Sequence, residues 1–526
     1  MSKLSSILSP SLFVLSALCG LSACSNQSLQ PPSQTQTLRA SDFFQQAQVN
    51  SYALSNRLTW GANKTSEQQL RALGPDAYLL QQLQAQSAQV PAQIQSQIDA
   101  MTISQKPFVE MMQALDQQRE ESAKMRGTDD SLRQAYQQEL NRIAREAASR
   151  SLLRSIYSSN QLLEQMNWFW MNHFNISNRK DNVRAMLADF EETAIRPHAL
   201  GNFRALLKAT LLHPAMLRYL DNEHNAVNKI NENYARELLE LHTMGVGSGY
   251  TQTDVQELAR VLTGLGIRVK ADNPRLNQAQ LAGYQRFGLT EFHPRRHDFG
   301  EKKLLGTTIK GQGLSEIDQV LDLLMRQPAT AKFISQKLAQ FFVSDAPSDA
   351  LVQSMAEQFL QSKGDIPRVL RTMFESSEFV ASLGKKFKDP MHYVISSVRL
   401  AYEDKMIVNT GPILSWINSL GQQANGHQTP DGYSMKEMAW ASPAQMTARF
   451  DVARLIARGA PNLFKTEMEE TTAQHREAAR PALAQNVYVK ELSQQFSQSS
   501  RDALSQSGSA PEWNAFFLST PEMMRR

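Results

Sequence analysis

Two windows of this 526-residue chain gather side chains able to do chemistry. The first, Asn231 to Gly264 (NENYARELLELHTMGVGSGYTQTDVQELARVLTG), holds Asn233, Arg236, Glu237, Glu240, His242 and Asp254. The second, His293 to Lys302 (HPRRHDFGEK), holds His293, His297, Asp298 and Lys302. An imidazole oriented by a carboxylate serves metal ligation or proton transfer. His297 and Asp298 are therefore the first acid/base candidates, and His293, His297 and Asp298 are the donors a metal would use. Glu237, Glu240 and His173, the last from MNWFWMNHFNI, complete the set that a hydrolase would draw on.

Local geometry limits these readings. Consecutive residues of a strand point to opposite faces, so His297 and Asp298 converge only within a turn. The spacing His293-x-x-x-His297 ligates zinc only on a helix, and Pro294 opposes one. A hydrogen-bonded structural corner is the favoured reading there, with Lys302 among its members. In the first window, 100° per residue places Asn233, Glu237 and Glu240 on one side, and Ala235, Leu238, Leu239 and His242 on the other. His242 is thus read as a core histidine. Arg236 and Glu240 form an i, i+4 pair, Gly245, Gly247 and Gly249 stop the helix, and Thr253 with Gln256 reads as a capping box for the next one. Asn233, Arg236, His242, Asp254 and Lys302 are accordingly expected to be structural.

The elements that must position these residues are mainly helices. Apolar residues recur three and four apart through Ser66 to Tyr157, including a long run after Asp129-Asp130 that reads as one helix with a solvated face. In Leu162 to Ile176, Met166, Phe169, Trp170 and His173 share one face, with Asn172 and His173 able to reach the lip of a pocket. Helices are also expected over 315–325, 328–343, 349–360, 366–375, 390–402, 443–458 and 471–494. Strand character is confined to Tyr284–Phe292 and Lys302–Ile309. Residues 425–433 (NGHQTPDGY) read as a long turn-rich loop. The expected fold is mainly α, an irregular multi-helix globular body with one small β-hairpin or two-stranded insertion. The expected divisions are a leader with lipobox (1–24), a flexible Ser/Gln/Pro tether (25–40), a helical body (41–460, with a sub-boundary near 270–312), and C-terminal helices with a mobile Ser-rich segment (461–526).

Lys3, the apolar run Ile7 to Leu18 and Leu21-Ser22-Ala23-Cys24 read as a lipoprotein leader with Cys24 as the lipidated residue. Ser25 after it fits sorting to the outer membrane of a Gram-negative cell. The two cysteines are Cys19 and Cys24, so residues 25–526 offer no disulfide, thiolate metal site or cysteine nucleophile. A formal net charge of +4 gives no footprint for nucleic acid. There is no G-x-S-x-G elbow, P-loop, dinucleotide fingerprint, H-E-x-x-H or EF-hand loop. The residues identify no cofactor.

Several stretches together carry a resemblance: RLTWGA (57–62), MNWFWMNHFNI (166–176), the Asn231–Gly264 window, HDFGEKKLLG (297–306), QPATAKFISQKL (327–338), GDIPRVLRTMF (364–374), KFKDPMHYVISSVR (386–399) and LGQQANGHQTPDGY (420–433). Over roughly residues 45–460 the chain resembles the bacterial family named domain of unknown function 1800. That resemblance implies an exported, largely helical protein with no established activity. It also implies a second exported family, domain of unknown function 1501, similar to sulfatases and phosphatases, as a partner. Where the family often carries Asp or Asn beside glycine, this chain has Gly247-Ser248-Gly249, so a carboxylate ligand for a cation is missing there. The expectation is an envelope lipoprotein, anchored to the membrane through Cys24, that works as a binding or assembly component. The alternative is an envelope hydrolase, metal-dependent or not, whose pocket unites His297, Asp298, Glu237, Glu240 and His173.

Overall fold

Asn160 begins the aromatic helix Gln161–His173, its side chain accepting from the Leu163 amide. Capping of this kind satisfies donors that the first turn leaves unpaired. The helix buries Met166, Phe169, Trp170 and His173, the stripe expected from spacing, and the Trp170 indole donates to the Ala199 carbonyl at 3.0 Å. This is a computed structural model, and it describes residues 38–39, 41–84, 88–125 and 130–526. The leader, Cys24 and nearly all of the 25–40 tether lie outside the described residues.

Around the aromatic helix the body is built almost entirely of helices. Pro328–Phe342, with proline at its tolerated first position, packs on Asp349–Gln361, which packs on Ile366–Phe374. Pro390–Ala401 buries every residue and centres a second cluster with Trp416, Val452, Ile456 and Phe517. Residues 40–526 form one compact unit. The core continues past residue 460, because Ala510–Ser519 packs along Pro443–Arg458.

Three expectations are corrected here. Residues 498–512, read as mobile, contain the helix Gln498–Ser505 and the start of Ala510–Ser519. Ser497 caps the former, and Glu522 accepts from the Ser497 amide at 2.7 Å. The helix expected over 471–494 is interrupted at Pro481, leaving Ala473–Ala478 and Val487–Gln494. The capping box lies at Thr251 and Asp254, two residues earlier than read, and Thr253 is an exposed residue inside Gln252–Val261.

Two small antiparallel sheets accompany the helices. In the first, β1 (Leu265–Ile267) and β2 (Gln285–Phe287) flank β3 (Thr290–Phe292), with Leu265 and Gln285 both opposite Phe292. β1 carried no signal of its own in the sequence. In the second, β4 (Lys302–Leu304) and β5 (Thr307–Ile309) join through Leu305 and Gly306, both at positive φ. Two such residues give the turn twist that matches a hairpin, at a steric cost to the leucine. The Asp254 carboxylate accepts the Leu305 amide at 2.6 Å and holds that turn against the Gln252–Val261 helix.

The central Asn231–Gly264 window is α-helical only over Asn233–Glu237 and then widens into a π-helix, Leu238–Thr243. The Met244 amide bonds the Leu239 carbonyl five residues back at 2.8 Å. Gly245, at φ +87°, ends it where a Cβ would lie 2.9 Å from the Phe333 ring. No helix among the described residues is long and apolar enough to cross a membrane.

Candidate functional site

His297 sits at the corner between β3 and β4 and is buried. Its Nδ1 lies 2.8 Å from the Thr263 carbonyl and its Nε2 lies 2.9 Å from Glu316 Oε1. Both ring nitrogens are taken, so neither is free to ligate a metal or to accept a substrate proton. Glu316 also accepts the Lys302 ammonium at 2.6 Å and the Gln312 and Gly313 amides at 2.8 and 2.9 Å. Burial raises the Glu316 carboxyl pKa, but the His297 and Lys302 hydrogen bonds outweigh it and hold the group below its ordinary value.

Asp298 is committed to a different partner. Arg260 Nε lies 2.7 Å from one carboxylate oxygen, and the Gly300 amide donates to the other at 2.8 Å. The Arg260 hydrogen bond holds the Asp298 carboxyl below its ordinary pKa. Arg260 also grips Glu257 at 2.8 and 3.0 Å. His293 is half-buried beside Tyr284, its Nδ1 has no hydrogen-bond partner, and burial lowers its pKa. No group of three His, Cys, Asp or Glu among the described residues is arranged to hold a metal.

The acidic side of the central helix faces elsewhere. Arg236 contacts Glu240 at 3.4 Å, Glu232 at 3.2 Å and Gln252 at 2.8 Å. Asn233 is exposed and donates to the Leu220 carbonyl. Glu237, half-buried, has no hydrogen-bond partner among the described residues. Burial raises its pKa, and the charges of Glu240 and Asp431 add to the rise.

Asp431 belongs to the turn-rich loop, and that loop is strapped down by side-chain amides. Asn172 Nδ2 donates to the Tyr433 carbonyl at 2.9 Å while its Oδ1 accepts the Tyr433 amide at 2.7 Å. Asn175 donates to the His427 and Thr429 carbonyls at 3.2 and 2.8 Å, Asn178 to Ala424 at 3.2 Å, and the Tyr219 hydroxyl to Gln428 at 2.7 Å. Gly432, at φ +75°, presses on the Asn172 carbonyl so closely that a Cβ would run into it. The strapped loop presents a converging trio. Thr429 Oγ1 lies 2.9 Å from His427 Nε2 and 2.5 Å from Asp431 Oδ1, and the latter two are 3.1 Å apart. Burial raises the Asp431 pKa, but the Thr429 and His427 hydrogen bonds win and lower it.

Lys337, from the helix Pro328–Phe342, completes this region. Among the described residues its ammonium has no hydrogen-bonded partner, and it lies 5.5 Å from the Phe333 ring centroid. Burial brings its pKa down to about 8, with Asp431 pulling the other way. Beneath it, His173 Nε2 donates to the His242 carbonyl at 3.1 Å, leaving His173 Nδ1 and His242 Nε2 buried without partners. Burial, then the Lys337 charge, pushes His242 down to about 3, and the same two causes lower His173.

The five residues expected in one pocket therefore separate. His297 and Asp298 belong to the β-corner, Glu237 lies within reach of the Asp431 charge, Glu240 pairs with Arg236, and His173 lies in the core within reach of the Lys337 charge. No hydrogen bond, ion pair or charge interaction among the described residues joins the corner to the acidic helix face. Sequence reasoning missed Asn175, Asn178, Tyr219, Lys337, His427, Thr429 and Asp431. The i, i+3, i+6 spacing of Asn172, Asn175 and Asn178 was a usable signal, whereas Lys337 sits unmarked on an ordinary amphipathic helix. Chemically, the surroundings of Asp431 offer one carboxyl that holds its proton more readily, one held as carboxylate, an imidazole, a hydroxyl and an ammonium without a hydrogen-bonded partner among the described residues.

A family model described as "Protein of unknown function (DUF1800)" matches residues 53–525. No curated protein and no solved structure matches the chain.

Proposed function

The chain belongs to the DUF1800 family of proteins of unknown function, and on that footing we propose that it is an envelope lipoprotein acting as a binding or assembly component through its strapped loop, residues 424–433. Acyl chains on Cys24 anchor it to the outer membrane. A single acyl chain binds a membrane only marginally, so anchoring draws on more than one. The observation that carries the binding role is the strapping itself. Residues 424–433 are turn-forming, yet Asn172, Asn175, Asn178 and Tyr219 hold them in one conformation. A loop ordered before its partner arrives loses less entropy on binding.

The partner proposed is an exported protein of the sulfatase and phosphatase-like kind. The test is a photocrosslinking residue placed at Asp431 in cells making the full-length chain. A specific adduct with such a partner, lost when Asn175→Leu frees the loop, supports the proposal. An adduct pattern indifferent to the strap overturns it. Fractionation of wild type against Cys24→Ala reads the anchor separately, with release from the membrane expected.

One observation favours a hydrolase as the second reading: the environments of Glu237 and Asp431 push their carboxyl pKa values in opposite directions. Such divergence is how one site supplies both an acid and a base. A panel of phosphoester, sulfate-ester and glycoside substrates, run on wild type, Glu237→Gln and Asp431→Asn, decides it. Turnover abolished in both variants with unchanged melting establishes the enzyme.

A further inference from the structure

The strapped loop carries the chain's one Asn-Gly step, Asn425-Gly426, and its one Asp-Gly step, Asp431-Gly432. These are the steps at which a backbone can close on its own side chain. Glycine has no side chain to shield its nitrogen, so that nitrogen reaches the Cγ of the preceding Asn or Asp and forms a cyclic imide. At Asn425 the bond from Gly426 N to Cγ forms, the Cγ–Nδ2 bond breaks, and ammonia leaves with the proton from the Gly426 nitrogen. At Asp431 the same closure expels water. Water then opens either carbonyl of the imide, giving an aspartate or an isoaspartate whose backbone runs through an extra methylene.

The fold requires glycine at both steps. Residues 423–426 form a turn closed by the Gly426 amide on the Gln423 carbonyl at 3.0 Å, with Asn425 at φ +49°. Asparagine is among the few side chains that tolerate a left-handed backbone. A Cβ at 426 would lie 2.7 Å from the Gln423 Cβ, and Gly432 at φ +75° has no room for one against Asn172.

The same contacts hold both steps closed to reaction. The peptide plane between Asn425 and Gly426 is tied at each end: its carbonyl accepts the Asn178 amide at 2.9 Å, and its N–H closes the turn on Gln423. Ring closure needs that N–H released and the plane turned toward the side chain. Asn178 Nδ2 fixes the neighbouring Ala424 carbonyl at 3.2 Å as well. At the second step the attacked side chain is tied instead. Asp431 Oδ1 accepts the Thr429 hydroxyl at 2.5 Å and lies 3.1 Å from His427 Nε2, while the Asn172 amide clasps the Tyr433 backbone just beyond.

We propose that Asn425 and Asp431 are modification sites gated by the strap: both stay intact while the loop is held, and they convert to aspartate and isoaspartate once it comes free. The extra methylene of an isoaspartate displaces the carbonyls that Asn172, Asn175 and Asn178 grip, so a converted loop is not strapped again. The inference rests on the strap's geometry and not on what the loop binds. The test is peptide mapping of the full-length lipoprotein in detergent, incubated in mildly alkaline buffer either native or in guanidinium chloride. Aspartate and isoaspartate at 425 and 431 are read by mass and by chromatographic separation. Native wild type is expected to convert Asn425 on the order of tenfold more slowly than the unfolded chain, because the reaction waits on local opening. Native Asn178→Ala should convert it severalfold faster than native wild type, with no change at Asn418-Ser419 in the helix Gly411–Ser419, which serves as internal control. Equal rates in the native and unfolded wild type overturn the proposal, and that comparison needs no variant to fold. A folded Asn178→Ala no faster than wild type, or a rise shared equally by Asn418, overturns it too.

Discussion

Glu316 and His297 form the tie that closes the β-corner, their side chains 2.9 Å apart and both fully buried. With Lys302 on the other carboxylate oxygen, one anion answers two polar groups that no solvent reaches. Removing one partner of such a set leaves a buried group unpaired, at a cost of about 3–5 kcal/mol. Glu316→Ala should lose stability of that order in chemical denaturation. His297→Ala should lower melting as well, and any loss of function in it should track unfolding. A His297→Ala protein that melts like wild type would show that the corner is not structural.

Acid should destabilise the fold before its surface carboxylates titrate. Burial, and then the Lys337 charge, holds His242 down to about 3, and burial with Arg526 holds His392 down to about 4. The unfolded chain takes up these protons near pH 6.5, while the folded chain resists them until pH 3–4. Their contribution to stability is therefore complete above about pH 6.5 and is lost as pH falls toward 3. His242→Leu should move the acid-unfolding midpoint down by on the order of one pH unit. An unchanged midpoint would mean that His242 is protonated in the folded state without penalty.

Glu237 has the opposite sign. Its pKa is raised by burial, Glu240 and Asp431, so the folded state holds its proton above the unfolded value and loses stability as pH rises through that window. Glu237→Gln removes the repulsion and should melt no lower than wild type at pH 7. A clear loss of stability would reveal an acceptor role for the carboxylate.

Asn175 gives the strap its measurable handle. It is buried and bonds two loop carbonyls, so Asn175→Ala should cost about 1–3 kcal/mol for the groups left unpaired. Amide exchange should rise over residues 424–433 while the helix Pro390–Ala401 stays protected. Uniformly raised exchange would place the loop within the global folding unit.

Much of the architecture was legible because it rests on local patterning. Met166, Phe169, Trp170 and His173 were placed on a buried face by spacing, and they are buried. His242 was assigned to the apolar side and is buried, although the helix widens to π from Leu238. The capping box moved by two residues because Thr253 with Gln256 and Thr251 with Asp254 both satisfy the local signature. Only the hairpin turn, pinned by Asp254 through the Leu305 amide, selects between them.

The grouping of polar residues was not legible, since it depends on which distant segments meet. His297 finds Glu316 nineteen residues on, and Glu237 feels Asp431 nearly two hundred residues away. Nothing periodic in either segment encodes those meetings. The sequence by itself determined a mainly helical body, the family, and the faces that each helix must bury, because hydrophobic periodicity acts within a few turns. Tertiary structure alone decided that the histidine and aspartate of the corner are consumed in packing, and that the Asp431 charge acts on both Lys337 and Glu237. Long-range side-chain contacts are set by how whole helices dock, and those contacts determine which charges are neutralised and which are left to act.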